Sequence, residues 1–183
     1  MVCAGDPVVK DDRAEPSSAM GTRSWRLREL ERGSRADRDA FRALNLAWIE
    51  QFFAVEPRDR YELDDPEHHI LDAGGHIFLA ELGAAHGETA IVGACALMVD
   101  GGTFKLAKMA VDPRARGTGI GRALAEAVIA RARALGATKV ELYSNTVLAP
   151  AISLYRSLGF VEVPLPHNDF RRANIRMELA LAP

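Results

Sequence analysis

The order of strand-like and helix-like segments, β-α-α-β-β-β-α-β-α-β-β, predicts a single-domain α/β protein with a mixed sheet. Three observations carry this expectation. Short apolar runs separated by glycine turns cluster early in the chain, as in an antiparallel meander. Later runs are separated by segments with apolar residues three and four positions apart, as in crossover helices. The chain has 183 residues, 48% hydrophobic and 26% charged, enough to bury one core without disulfide or metal staples.

The elements follow in order. Residues 1–22 are polar, lack periodicity and carry Pro7, Pro16 and Gly21, so a disordered tail is expected there, with the folded domain spanning 23–183. Starts at Met1 and at Met20 both fit this. Trp25, Leu27 and Leu30 suggest a first strand. Ser34 or Asp37 can cap a helix in which Phe41, Leu44, Trp48 and Phe52 recur at helical spacing, and Pro57 closes it. Arg58 to Asp72 is charged and reads as short helical turns, ended by Gly74-Gly75. His76–Leu82 and Ala90–Val99 read as strands joined through Gly83 to Glu88, with Gly93 marking a bulge. After the Gly101-Gly102 turn, Thr103 to Val111 forms a strand that stops at Pro113, which has no N–H to give a ladder. A long helix follows, with Ile120, Leu124, Ala127, Val128 and Leu135 as its buried stripe and Gly136 as its stop. Lys139–Tyr143 is a strand, Pro150 opens a short helix ending at Gly159, and Phe160–Val163 and Asn174–Leu181 are the last two strands.

Charge and composition exclude several classes. Lys plus Arg is 23 against 25 Asp plus Glu, a net charge of −2, which argues against a dedicated nucleic-acid binder. No apolar run approaches the roughly 20 residues of a membrane span. Cys3 and Cys95 lack zinc-site spacing, and adjacent His68-His69 point to different helix faces, so no metal is expected. The first residues show no apolar stretch flanked by basic ones, which makes cytoplasmic residence the default expectation.

The chemistry concentrates after the Thr103–Val111 run. Gly117, Gly119 and Gly121 alternate between a strand and a helix, with Arg114, Arg116 and Arg122 around them. Glycine permits close backbone approach and positive φ, and the helix start offers free N–H groups, so the segment suits a phosphate. Gly121 is followed by Arg122-Ala123, which breaks the mononucleotide P-loop pattern, and G-x-G-x-G is one residue short of the dinucleotide fingerprint. A plain connecting turn is the structural alternative.

Arg116-Gly117-Thr118-Gly119-Ile120-Gly121, after a strand ending in Val111-Asp112-Pro113, resembles the pyrophosphate motif of GCN5-related N-acetyltransferases, Gln/Arg-x-x-Gly-x-Gly/Ala. Leu154-Tyr155-Arg156-Ser157-Leu158-Gly159-Phe160 resembles the family's second hallmark, Leu-Tyr-x-x-x-Gly-Phe. The resemblance spans roughly Trp25 to Leu181. It implies the acyl-CoA N-acyltransferase fold and acetyl transfer from acetyl-CoA to a primary amine, by direct attack through a tetrahedral intermediate. Carried over, the backbone of Met109, Ala110 and Val111 would hold the pantetheine arm and one N–H the thioester oxygen. Arg114, Arg116, Gly117, Thr118, Gly119, Ile120, Gly121 and Arg122 would surround the pyrophosphate, and Tyr155 would protonate the departing thiolate. The family often has an Asn seven residues before this tyrosine. Leu148 stands there, and Asn145 is the substitute candidate.

The acceptor, a small-molecule or peptide amine, is not specified by the motifs. Glu141, then Glu81, are the base candidates, each with a salt-bridged strand carboxylate as the alternative. Trp48, Glu50, Gln51, Phe52, Phe53, Glu56 and Tyr61 could wall a site for a cationic acceptor with an apolar body, or fill the core. Arg171 and Arg172 could meet an anionic group, next to Asn168, Asp169 and Phe170. His68, His69 and His76 read as surface or capping residues. A homodimer fits the family's habit. A non-catalytic acyl-CoA-binding regulatory module and a nucleotide-binding protein are the rival readings.

Overall fold

The computed structural model describes residues 24–83, 89–165 and 171–181. The expected tail (1–22), the connection 84–88 and Asn168, Asp169 and Phe170 lie outside the described residues. In chain order the elements are β1 (Trp25–Glu29), α1 (Arg35–Phe52), α2 (Pro57–Asp64), a π-helical turn (Glu67–Leu71), β2 (His76–Gly83), β3 (Thr89–Asp100), β4 (Thr103–Val111), a 3-10 turn (Pro113–Ala115), α3 (Ile120–Ala134), β5 (Lys139–Ser144), α4 (Ala149–Ser157), β6 (Val161–Val163) and β7 (Ile175–Ala180). No helix among the described residues is long and apolar enough to cross a membrane.

The strands form one seven-stranded sheet in the order β1-β2-β3-β4-β5-β7-β6. Every neighbouring pair is antiparallel except β4 and β5, which run parallel. That contact has a single register pair, Lys105 with Glu141, beyond which the two strands part.

Local chemistry accounts for the helices. Ser34 caps α1, its Oγ accepting from the Asp37 N–H at 3.3 Å. Asp37 is not the cap. Its buried carboxylate takes both ends of the Arg28 guanidinium, at 2.6 and 2.8 Å, and fastens α1 to β1. The Arg28 bonds hold that carboxyl below the usual carboxylate range. Pro57 does not close α1. The helix ends at Phe53, whose N–H still reaches the Ile49 carbonyl at 2.7 Å, and Pro57 opens α2. Glu56 and Asp59 cap one another's backbone there.

The sheet has a core on each face. One packs Phe41 and Ile49 of α1 and Leu63 of α2 on Leu79, Ala94 and Ala96. The other packs Leu124 and Val128 of α3 and Ile152 and Tyr155 of α4 on Leu106, Leu142 and Met177. Leu135 is not in the α3 stripe. The helix ends at Ala134, which leaves Leu135 half-exposed, and Ala125, Ile129 and Ala132 complete the buried face.

Two register breaks interrupt the antiparallel half. Val92, beside Gly93, is the extra residue opposite Ala80 and Glu81. In β4, Lys108 and Met109 together oppose Cys95, and Lys108 sits at φ +51°.

Gly75 closes the turn into β2 under tight packing. A Cβ there would lie 2.5 Å from the Leu97 carbonyl oxygen and 2.7 Å from that of Ile70. Gly75→Ala is expected to cost about 1–3 kcal/mol as backbone is pushed apart. Thermal unfolding should show Tm lower by roughly 3–9 °C.

Candidate active site

A cavity of about 780 Å³ passes between β4 and β5 where they part, lined from both faces of the sheet. Trp48, Phe53 and Glu62 line it from the α1/α2 face, and Ile120, Leu154 and Tyr155 from the α3/α4 face. Met109, Ala110 and Val111 line it from β4, whose edge toward β5 has no ladder partner past Lys105. The strand stays extended here because its other edge is paired with β3, through Ala110 with Ala94 and Val111 with Gly93.

The glycine segment caps one end of the cavity. Gly117 and Gly119 take φ values of +78° and +86°, backbone that strains other residues, so this turn is written in glycine. No side chain caps α3 at Gly119, which leaves its first N–H groups to an outside acceptor. Negative charge is favoured at that helix end. Arg116, Gly117, Ile120 and Gly121 line the cavity.

The rest of the segment braces it. Thr118 Oγ donates to the Ala115 carbonyl at 2.6 Å, and its own carbonyl accepts from Trp25 Nε1 at 3.2 Å. Arg114 is held by Asp112 at 2.7 Å, and Arg122 donates to Ser157 Oγ at 2.7 Å, tying α3 to α4. The guanidinium of Arg114 also keeps the Asp112 carboxyl below the usual range.

Tyr155 is 7% exposed and stands edge-on to Phe160, with ring centroids 5.9 Å apart. Its hydroxyl lies 3.9 Å from Met109 Sδ, so the phenol faces the central strand across the gap. Burial pushes its pKa well above the ordinary phenol value, with Cys95 adding to the shift. The phenol therefore stays protonated throughout the neutral range.

Other expected residues stand elsewhere. Glu141 is buried, but its carboxylate is taken by Arg176 at 2.5 Å and does not line the cavity. Arg176 is 35 residues away and meets it only through β5–β7 pairing. Glu81 is on β2, two strands from β4 and outside the lining, bound to Arg26 at 2.6 Å. Asn145 does line the cavity, yet its amide spans the loop, donating to the Arg172 carbonyl at 2.5 Å and accepting from the Val147 N–H at 3.0 Å. Leu148 is the residue before α4. Tyr61 is 54% exposed and stacks on His69, His68 pairs with Asp72, and His76 with Glu29. Glu50 and Gln51 are exposed. Glu56 accepts from the Arg171 and Arg172 backbone.

Sequence reasoning missed one cluster. Lys108, Asp59, Glu62, Arg58 and Arg172 form a charged floor under the α1/α2 end of the cavity. One local signal existed: in TFKLAKMAV a lysine occupies the alternation phase of Leu106 and Ala110. Its partners, about fifty residues upstream, could not be paired with it by spacing.

A mixed sheet opened between two parallel strands, with a glycine turn and an uncapped helix at the opening, is the acyl-CoA N-acyltransferase fold. The chain belongs to the acetyltransferase (GNAT) family, whose model matches residues 41–160. A GNAT-family acetyltransferase from Staphylococcus aureus superposes with a TM-score of 0.74 at 23% identity, covering 87% of this chain and all of that one. An acetyltransferase structure from Salmonella typhimurium, solved with its cofactor acetyl-CoA, has a TM-score of 0.64 at 21% identity, covering 87% of this chain and 95% of that one. In sequence, a mycothiol acetyltransferase of Thermobispora bispora is 35% identical over 74% of this chain and 46% of its own length. An IAA acetyltransferase of Azospirillum brasilense is 40% identical over 38% of this chain and 46% of its own. The chain thus spans less than half the length of these curated relatives.

The raised Tyr155 pKa has a measurable consequence. A folded state that keeps its proton while the unfolded phenol loses it, near pH 10, loses stability as pH rises past that point. The loss approaches about 1.4 kcal/mol per pH unit. Urea unfolding between pH 9 and 11 should show this fall in the wild type and lack the Tyr155 share in Tyr155→Phe.

Proposed function

We propose that the chain transfers the acetyl group of acetyl-CoA to a primary amine by direct attack, with the two reactants meeting inside the sheet from opposite faces. The observation that carries this reading is the cavity crossing the sheet where β4 and β5 part. The residues present suit acetyl-CoA: an uncapped helix start behind two left-handed glycines for the pyrophosphate, and an unpaired strand edge for the amide-bearing arm.

Each residue then has a task. The Gly117–Gly121 turn and Arg116 hold the pyrophosphate end. The Met109–Val111 backbone aligns the arm like an added strand, and one of its N–H groups faces the thioester oxygen as negative charge grows there. The amine nitrogen bonds to the thioester carbonyl carbon, the carbon–sulfur bond breaks, and the departing thiolate takes the Tyr155 phenolic proton. The surplus proton of the new amide leaves through water in the open cavity, and Tyr155 regains one from the same water. No role as base is drawn for Glu141, whose carboxylate is committed to Arg176 outside the lining.

The amine side suits an acceptor with an apolar body. Trp48 and Phe53 meet edge to face at 6.1 Å, Met98 lies in the same lining, and Phe52 is 46% exposed at this end of α1. Lys105, Arg58 and Arg172 line this side too, each paired with a carboxylate of Asp100, Glu62 or Asp59, so the acceptor preference rests on the apolar wall.

Two experiments test the reading. Calorimetric titration should show acetyl-CoA binding that Gly119→Glu abolishes, because that change sets a carboxylate against the pyrophosphate. Release of free thiol from acetyl-CoA should be faster with phenethylamine than with spermidine, and Tyr155→Phe should lower it by about 10²–10⁴-fold with acetyl-CoA affinity kept. Binding without thiol release from any primary amine would instead identify a regulatory acyl-CoA-binding module.

A further inference from the structure

Lys108 has no task in that scheme, yet it is built into the site with unusual care. It stands one position before Met109 at φ +51°, and no other described non-glycine residue has positive φ. Such backbone persists at a long side chain only where the surroundings enforce it. Here the enforcement is electrostatic. Lys108 Nζ lies 3.1 Å from Asp59 Oδ1 and 2.7 Å from Glu62 Oε2, and all three side chains are at most 5% exposed. Each carboxylate has its own second cation, Arg172 at 2.6 Å on Asp59 and Arg58 at 2.5 Å on Glu62. Burial alone would raise the Asp59 pKa, but Arg172 and Lys108 outweigh it and hold the carboxyl ionised.

Ion pairs this deep contribute little net stability but fix geometry, since breaking one strands a buried charge. What this one fixes is the register break. Lys108 and Met109 share one partner, Cys95, so the strand bulges where its amides enter the cavity. By alternation Lys108 would point with Leu106 into the α3/α4 core. The bulge turns it to α2 instead.

We propose that Lys108 is a positioning residue: its ion pairs to Asp59 and Glu62 pin the bulge of β4 to α2 and thereby aim the Met109–Val111 amides at the thioester carbonyl. The inference rests on the acetyl-CoA reading above. It also joins the two sides of the cavity, because Glu62 and Arg58 line the amine side and Met109 the acyl side.

The test compares acetyl-CoA with CoA, which lacks the thioester carbonyl. Calorimetric titration of the full chain gives both Kd values for the wild type, for Lys108→Gly and for Lys108→Met combined with Glu62→Gln. Glycine tolerates the backbone but loses the anchor. The double variant removes one buried charge of each sign, which guards against misfolding. Both should keep CoA affinity within about threefold of the wild type while acetyl-CoA weakens relative to CoA by about three- to tenfold, the worth of one hydrogen bond. Equal weakening for both ligands, or no change for either, would overturn the positioning role and leave Lys108 a purely structural residue. A wild type that binds neither ligand would instead remove the acetyl-CoA reading itself.

Discussion

The parting of β4 from β5 is the constraint on which the rest of the structure depends. Parallel neighbours normally share an even ladder of slanted hydrogen bonds. Here the ladder has one register pair, Lys105 with Glu141, and then stops. Each strand keeps its other partner, β3 for β4 and β7 for β5, so the sheet survives the opening as one unit. Helices pack on both faces of the sheet beside the gap. The Arg122–Ser157 bond couples α3 to α4 across one face, and the Lys108 cluster couples α2 to the sheet on the other.

Charge is used differently at the two ends of the cavity. At the glycine end, positive potential comes from backbone, from the start of α3, and its neighbouring arginines Arg114 and Arg122 are already engaged by protein groups. At the α1/α2 end, the charges are side chains paired among themselves in a largely buried lattice. The first arrangement leaves donors available to an anion. The second leaves none of the named carboxylates unbalanced and gives a floor of fixed shape beneath an aromatic wall.

The fold was legible because its signals are local. The Gly101-Gly102 turn, Pro113 at a strand end, Pro150 in the first turn of α4 and the apolar spacing of α3 each act within a few residues, and the element order followed from them. The motif residues of the site were legible for the same reason, since Arg116 to Gly121 are contiguous and Tyr155 sits in a run of seven. What escaped was long-range pairing. Glu141 is set by Arg176, Asn145 by the carbonyl of Arg172, and Asp37 by Arg28 rather than by the helix start it borders. Pro57 misled because proline marks a boundary without saying on which side the helix lies. Lys108 escaped because a bulge resets alternation, and alternation was the rule being applied.

Cys95 sits behind the bulge, opposite Lys108 and Met109, with its thiol turned to the Ala107 carbonyl at 3.6 Å and its ionisation driven far up by burial. A sulfur so close to the gap invites comparison with a carrier that stores an acyl group between two half-reactions. It has neither the thiolate nor the solvent access for that work. The architecture makes such storage unnecessary. Under the proposed transfer, a passage open toward both faces of the sheet lets donor and acceptor be present together, so custody of the acyl group would pass between them directly and the protein would never have to hold it.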